Sequence, residues 1–526
     1  MKPPPTNALS LPAWVLEFAD KTPQSPCLGV PEGWLNYAEV ATRIQRLAAA
    51  LAVQGVGRGD FVLVALPNML ATPIASMAIQ YLGACCVELN REWGAKVLGE
   101  VAEQTQAKHA IVLGKDARIW GQLAHTWQSL WVVHPSAPNE SMKKALGVSP
   151  LWLQEDGQVE GEEEAPPPHT PAPDEAALLV YTSGSTGTPR GIMQTYKNIR
   201  ANTESICQYL ELSCADRVLS ILPLYYCYGK SLLQTHLRVG GSVFFDNRFL
   251  YPRVVMEAMG AQQCTGFAGV PLTYEILQRQ VGDLKTLLHP SLRYVTQAGG
   301  AMRPATIAWA RRTFAPARLF VMYGQTEATA RLSFLPPEFA ESKAGSIGRG
   351  IPGVKLRVVD AEGQVCAPGV EGELVACGDN ISPGYFKDEE ATREMLREGW
   401  LHTGDLGHAD EDGFVFISGR AKEFLKLSGH RTSPVEIENA LLMHPNVAEA
   451  AVVGMPDALE GEKAVACVVL KVAGQTSSEA LRKFCYEYLP AFKVPKHIWE
   501  RTSLPKTGAG KLARQLLKQE LVEAEA

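Results

Sequence analysis

AALLVYTSGSTGTPRGIMQ, residues 176–194, joins an apolar run to a loop in which Gly184, Gly187 and Gly191 alternate with Thr182, Ser183, Ser185, Thr186 and Thr188. The run AALLV reads as a buried strand. Glycine lets successive backbone N–H groups turn inward as an anion-binding nest, and hydroxyl side chains add further donors. Such a loop directly after a strand suits phosphate; the alternative is a flexible Gly/Ser linker. A P-loop is excluded by spacing. The only Gly-Lys-Ser, Gly229-Lys230-Ser231, has Leu224 where the first glycine of G-x-x-x-x-G-K-[ST] belongs.

Around this loop the chain reads as α/β. TRIQRLAAALAVQGVGRGDFVLVALPN (42–68) gives an amphipathic helix, a glycine turn and a buried strand; PIASMAIQYLGACCVELN repeats the pattern and AKHAIVLG adds another strand. EDGQVEGEEEAPPPHTPAPDE (155–175) is acidic and proline-rich and reads as a solvated loop, since the strand AALLVYT resumes at once. With 526 residues, 46% of them apolar and 20% charged, more than one domain is expected. A net charge of −6 gives no electrostatic reason to expect nucleic acid or an anionic membrane. The eleven cysteines include no CxxC pair, so neither a zinc site nor a disulfide framework is expected, and a reducing cytoplasmic setting fits. The N-terminus lacks a signal-peptide pattern. The longest apolar stretch, 71–86, is broken by Pro73, Ser76 and Gln80, so a core helix is expected there and no membrane span.

YTSGSTGTPRG resembles the phosphate-binding signature of the adenylate-forming superfamily: acyl- and aryl-CoA synthetases, amino-acid adenylation domains and beetle luciferases. LPLYYCYG (222–229), QAGGAM (297–302), YGQTE (323–327), GELVACGDNISPGY (372–385), WLHTGDLG (400–407), GRAKEFLKLSGHRTSPVEIE (419–438) and LPKTGAGK (504–511) follow in the family's order and span almost the whole chain. The resemblance implies a large N-terminal AMP-binding domain, 1–419, of two α/β subdomains and a small β-barrel-like subdomain. A small mobile α+β domain, 420–526, would turn on a hinge near Lys422. It also implies ATP, Mg²⁺ and coenzyme A as co-reactants.

By the same resemblance, Thr182, Ser183, Gly184, Ser185, Thr186, Gly187 and Arg190 hold the β- and γ-phosphates. Thr326 contacts phosphate and Glu327 holds Mg²⁺; Gly299, Gly300, Ala301, Tyr323 and Gly324 receive the adenine. Asp405, assisted by Arg420, binds the ribose. Lys511 bridges the substrate carboxylate and the α-phosphate, giving the in-line displacement its charge neutralisation. Lys426 serves the thioester-forming step and Gly429 lines the thiol channel. Tyr226, Cys227, Phe267, Ala268, Gly269, Gln297, Ala298 and Met302 are the acid-pocket candidates.

Two residues depart from the family pattern. Arg190 stands where lysine is usual, keeping the positive charge on a planar fork. Tyr226 stands where acyl-CoA synthetases often have histidine, as a pocket wall or a gate. Cys227 occupies the position at which amino-acid adenylation domains carry an aspartate for the substrate ammonium; a buried ammonium without that partner is costly, so an aryl or aliphatic acid is expected. The insertion typical of enzymes that activate long fatty acids for carrier proteins is missing between Gly345 and Gly372. Three readings stand: an acid:CoA ligase, a stand-alone enzyme loading an acyl carrier protein, and a catalytically silent adenylate binder.

Overall fold

The computed structural model describes residues 8–123, 125–147, 149–161, 163–182, 189–420, 423–427, 430–457, 461–507 and 512–525. The chain divides into two compact units, Met1–Lys355 with Cys377–Leu401, and Leu356–Ala376 with His402–Ala526.

The first unit contains two sheets. One runs Leu151–Leu153, Ser129–Val133, His109–Leu113, Phe61–Ala65, Cys85–Glu88, Ala176–Thr182, Arg190–Thr195, parallel except for the last pair. The other has a parallel centre, Pro26–Val30, Ser242–Phe245, Arg217–Ser220, Gly266–Gly269, Tyr294–Gln297, Arg318–Tyr323. Gly33–Asn36 flanks it antiparallel at one side, and Ser333–Leu335 with Ser346–Gly350 at the other. Continuous apolar strands are what a parallel sheet covered by helices on both faces requires.

The helix Ala71–Tyr81 is buried at every position and belongs to the main core with Tyr37–Val53 and Cys227–Arg238. Its all-round burial explains an apolar stretch with no polar face. Among the described residues no helix is long and apolar enough to cross a membrane. All eleven cysteines are free thiols.

Mostly within the second unit, Lys355–Val359, Gly372–Cys377, Trp400–Ala409 and Val415–Arg420 neighbour one another in that order as a small β subdomain. Beyond it, Val447–Asp457 pairs antiparallel with Gly461–Leu470, which pairs parallel with His497–Glu500. Strand periodicity sends Val452, Ala464 and Ala466 toward the helices Pro434–Leu442 and Ser478–Cys485, and Val453, Val465 and Cys467 toward Leu517 and Leu521 of Arg514–Glu525.

Arg514 locks this layer. Its Nη2 donates to Glu438 Oε2 at 2.8 Å, its Nη1 to Val452 O at 3.0 Å, and its Nε lies 3.1 Å from Glu423. Arg514→Met should destabilise this region by about 3 kcal/mol, because Glu438 is left buried without its partner. Hydrogen exchange in 447–470 should accelerate accordingly, and Arg514→Met with Glu438→Leu should recover most of the loss. Unchanged exchange in the single variant would refute the lock.

Candidate active site

The two strands that flank the signature loop lie at one end of the first sheet. Ala176–Thr182 and Arg190–Thr195 form an antiparallel pair in which Thr182 faces Arg190 across the register. Ser183, Gly184, Ser185, Thr186 and Gly187 lie outside the described residues, as do Lys422, Gly429 and Lys511.

Arg190 Nε lies 3.5 Å from Asp388 Oδ2, and its guanidinium stands 5.6 Å from the centre of the Tyr385 ring. Tyr385 in turn donates its hydroxyl to Glu327 Oε1 at 2.8 Å. A row of side chains therefore runs from the end of the glycine loop to the carboxylate expected to hold Mg²⁺. Among the described residues no group of three or more His, Cys, Asp or Glu is placed to hold a metal. One carboxylate fits Mg²⁺ well, since that ion is commonly held by one or two carboxylates together with substrate phosphates. Thr326, next to Glu327, is buried, and its hydroxyl lies 3.5 Å from Cys227 Sγ.

The segment carrying Thr326 and Glu327 is held by a strained turn. Thr329 has φ 63° and ψ −63°, and Ala330 N–H donates to Ala328 O at 2.7 Å, closing a positive-φ γ-turn that a β-branched residue rarely adopts. Side chains from distant segments hold it. Thr329 Oγ1 donates to Asn380 O at 2.8 Å, Gln194 Nε2 to Thr329 O at 3.1 Å, and Asn380 Nδ2 to Arg331 O at 2.8 Å. Ser382 N–H also reaches Glu327 O at 2.8 Å. Asp388, Tyr385, Asn380, Gln194 and Thr329 escaped the sequence reading: Tyr385 and Glu327 are 58 positions apart, and no spacing rule links them.

Tyr323 ends the strand Arg318–Tyr323, and Gly324 follows where a Cβ would stand 2.1 Å from Ala330 O, so only glycine fits. Gly299 has φ +88°, again a glycine conformation, while Gly300 and Ala301 are exposed beside it. Gln297 Nε2 donates to Gly300 O at 2.7 Å, and Ala298 and Met302 are buried. Tyr226 occupies the N-cap position of the helix Cys227–Arg238, with no side-chain cap bond. Ala268 joins the main core, whereas Phe267, its neighbour on the strand, packs its ring against Tyr274 and Phe314. Alternate strand residues face opposite sides, so Phe267 belongs to an aromatic core apart from Tyr226. A Cβ on Gly269 would come within 2.8 Å of Thr273. Lys230, the lysine of the rejected Gly-Lys-Ser, is buried in an ion pair with Glu88.

In the second unit, Asp405 and Arg420 oppose each other on paired strands, and Arg420 Nε donates to Asp405 Oδ1 at 3.0 Å. The Asp405 N–H is received by Thr403 Oγ1 at 3.1 Å, and the strand register shifts just beyond, between Leu406 and Gly407. Lys426 is exposed on the short strand Leu425–Leu427, its backbone N–H bonded to Glu462 at 2.6 Å.

The paired strands that flank the glycine-rich signature, the Thr326-Glu327 pair and the Asp405-Arg420 pair are the features expected of an adenylate-forming enzyme. The chain belongs to the AMP-binding enzyme family, matched over residues 15–386, with the family's C-terminal domain matched over 436–511. It is 32% identical to a sulfoacetate–CoA ligase of Cupriavidus necator over 96% of both chains. It is also 30% identical to a 2-succinylbenzoate–CoA ligase of Bacillus cereus over 98% of this chain and 99% of that one. Among solved structures it is similar to O-succinylbenzoate coenzyme A synthetase from Bacillus subtilis in complex with ATP and magnesium, with a TM-score of 0.82, 27% identity and coverage of 96% and 99%.

Proposed function

We propose that the protein is an ATP-dependent acid:CoA ligase. A carboxylate attacks the α-phosphorus of MgATP, forming an acyl-adenylate and releasing pyrophosphate; the thiol of coenzyme A then displaces AMP to give the thioester. The substrate is an aryl or aliphatic acid and not an α-amino acid. The CoA ligase relatives favour CoA over a carrier-protein thiol as acceptor. Free cysteines throughout accord with a cytoplasmic setting.

The observation that carries this reading is the row Arg190, Tyr385, Glu327, which ties a cation at the end of the phosphate-type loop to a carboxylate suited to Mg²⁺. Glu327 and Thr326 act at the metal and phosphate, Asp405 and Arg420 at the ribose, Gly299 to Ala301 with Tyr323 and Gly324 at the adenine. Lys511 serves adenylation. Lys426, the Gly429 channel and a hinge at Lys422 between domains 1–419 and 420–526 serve thioester formation. Two relatives act on acids that carry a second acidic group, which narrows the search for this substrate. ATP–pyrophosphate exchange with a panel of acids, followed by thioester assays with CoA and with a phosphopantetheinylated carrier, tests the proposal. Exchange with transfer only to the carrier would replace CoA as acceptor, and no exchange with any acid would end the ligase reading.

Arg190 is partly exposed, and its 3.5 Å pairing with Asp388 is a weak surface pair that phosphate oxygens can displace. Arg190→Lys should therefore keep activity with a modest change in the apparent affinity for ATP, while Arg190→Ala should raise the KM for MgATP about tenfold. Binding of a non-hydrolysable acyl-adenylate analogue, which lacks the β- and γ-phosphates, should change little in either variant. An alanine variant with unchanged ATP dependence, or with equal loss of the analogue, would remove Arg190 from the triphosphate site.

A further inference from the structure

Three lysine or arginine side chains are buried among the described residues: Lys230, Arg238 and Arg331. Lys230 is neutralised by Glu88 and Arg238 by Glu204. Arg331 is 2% exposed and has no carboxylate within ion-pair distance among the described residues. Its guanidinium lies 4.2 Å from the centre of the Tyr228 ring, Nε donates to Met322 Sδ at 3.3 Å, and Nη1 donates to Ala330 O at 3.2 Å. A guanidinium has five N–H donors and no acceptor, so it can take up further oxygens. A desolvated cation surrounded by a ring face, a thioether, a carbonyl and the Tyr209 hydroxyl has no anionic partner among the described residues.

The surroundings cannot supply an anion. The hydroxyls of Tyr226, Tyr228 and Tyr209 lie in the field of Arg331, and burial pushes all three titrations up, Tyr209 to about 12, so they remain neutral phenols.

The position is specific. Arg331 lies against the first turn of the helix that begins at Cys227, with Tyr226 at its head; the Tyr228 hydroxyl is 2.7 Å from Thr296 Oγ1 in the strand leading into QAGGAM. Cys227 on the same turn is 3.5 Å from Thr326, next to the Mg²⁺ carboxylate. Pocket wall, reacting end and buried cation thus share one helix turn. Asn202 Nδ2, at 3.0 Å, and Asn380 Nδ2, at 2.8 Å, both hold the Arg331 carbonyl, and the γ-turn at Thr329 precedes it, so its entry to the interior is fixed by the same bonds that set Thr326 and Glu327.

We infer that Arg331 recognises a second oxyanion on the acid substrate, at the end remote from the carboxylate that attacks ATP. The substrate class is then a dicarboxylic or sulfo-carboxylic acid, rather than a fatty acid or a simple aryl acid. A monoacid leaves the guanidinium unmet, and a substrate ammonium would be repelled by it. This inference rests on the ligase reading above and adds the residue that selects the substrate.

The test compares chain-matched pairs in ATP–pyrophosphate exchange with the full-length enzyme: succinate against butyrate, terephthalate against benzoate, 3-sulfopropanoate against butyrate. The expected result is a kcat/KM at least about 100-fold higher for a diacid than for its monoacid partner, carried by the carboxylate pairs, the sulfonate pair, or both according to the second oxyanion preferred. Arg331→Met should erase that ratio by lowering the diacid value while leaving or raising the monoacid value, and Arg331→Lys should restore part of it. A wild-type enzyme that uses monoacids as well as their diacid partners overturns the inference whether or not the variants fold. Equal loss on both series in Arg331→Met overturns it too, since that marks a structural cation. If no acid supports exchange, the ligase reading fails separately, and Arg331 is judged by thermal protection: wild-type protein stabilised more by succinate than by butyrate supports the oxyanion site, and equal shifts refute it.

Discussion

Alanine in place of Lys511 is expected to slow acyl-adenylate formation about 10³-fold, while thioester formation from a supplied acyl-adenylate stays within a few-fold of wild type. In the first half-reaction a carboxylate approaches an α-phosphate that is itself anionic, and a bridging ammonium is worth most where those charges converge. In the second, a thiol attacks a neutral acyl carbon and AMP departs, so the same charge is not required. The flanks of Lys511 suit such precision: Lys506 is 2.8 Å from Glu449, Lys506 and Leu512 pair as an antiparallel bridge, and Leu504 is buried. Exposed Lys426 should show the reverse pattern as alanine, with adenylation retained and CoA transfer lost. Single-turnover measurement of each half-reaction separates the two. Equal loss of both halves in Lys511→Ala would sink its role, and normal CoA turnover in Lys426→Ala would remove that lysine from the thioester step.

Glu327→Gln should cost about 10² in kcat for adenylation and raise the Mg²⁺ concentration needed for half-maximal rate. The substitution keeps an oxygen to accept from Tyr385, as Glu327 Oε1 does at 2.8 Å, and leaves the backbone bond from Ser382 at 2.8 Å intact. What it removes is charge. An amide oxygen is a poorer ligand for a hard divalent cation than a carboxylate, so the deficit should shrink as Mg²⁺ is raised. Affinity for an acyl-adenylate analogue, which carries no pyrophosphate, should be unaffected. A magnesium titration coinciding with wild type would show that Glu327 does not hold the metal.

The architecture was legible in the chain because its signals are local. Apolar strands alternating with amphipathic helices called for a covered parallel sheet, and both large sheets have one. The 71–86 stretch, too interrupted to span a membrane, is a helix buried at every position. Lys230 was rightly set aside as a phosphate ligand: Leu224 broke the motif spacing, and Glu88 neutralises the lysine in the core.

The residues on which the site turns are a different matter. Tyr385 bonding Glu327, Asp388 meeting Arg190, and Asn380 with Gln194 holding the turn at Thr329 all join segments far apart in sequence, and a polar side chain announces no distant partner in its own neighbourhood. Strand alternation, which the sequence shows only as a short apolar run, decided that Phe267 fills an aromatic core while its neighbour Ala268 joins the main one. Arg331 is the clearest case. In the chain it is one arginine after YGQTE among fifty basic residues, and only folding reveals that it is buried against Tyr228 without a carboxylate. The sequence by itself determined the elements and the chemistry placed at their ends, because hydrophobic periodicity and glycine-dependent turns are properties of neighbouring residues. Tertiary structure alone decided which charges are met and which are left to a substrate, because burial and counter-charge belong to the assembled interior.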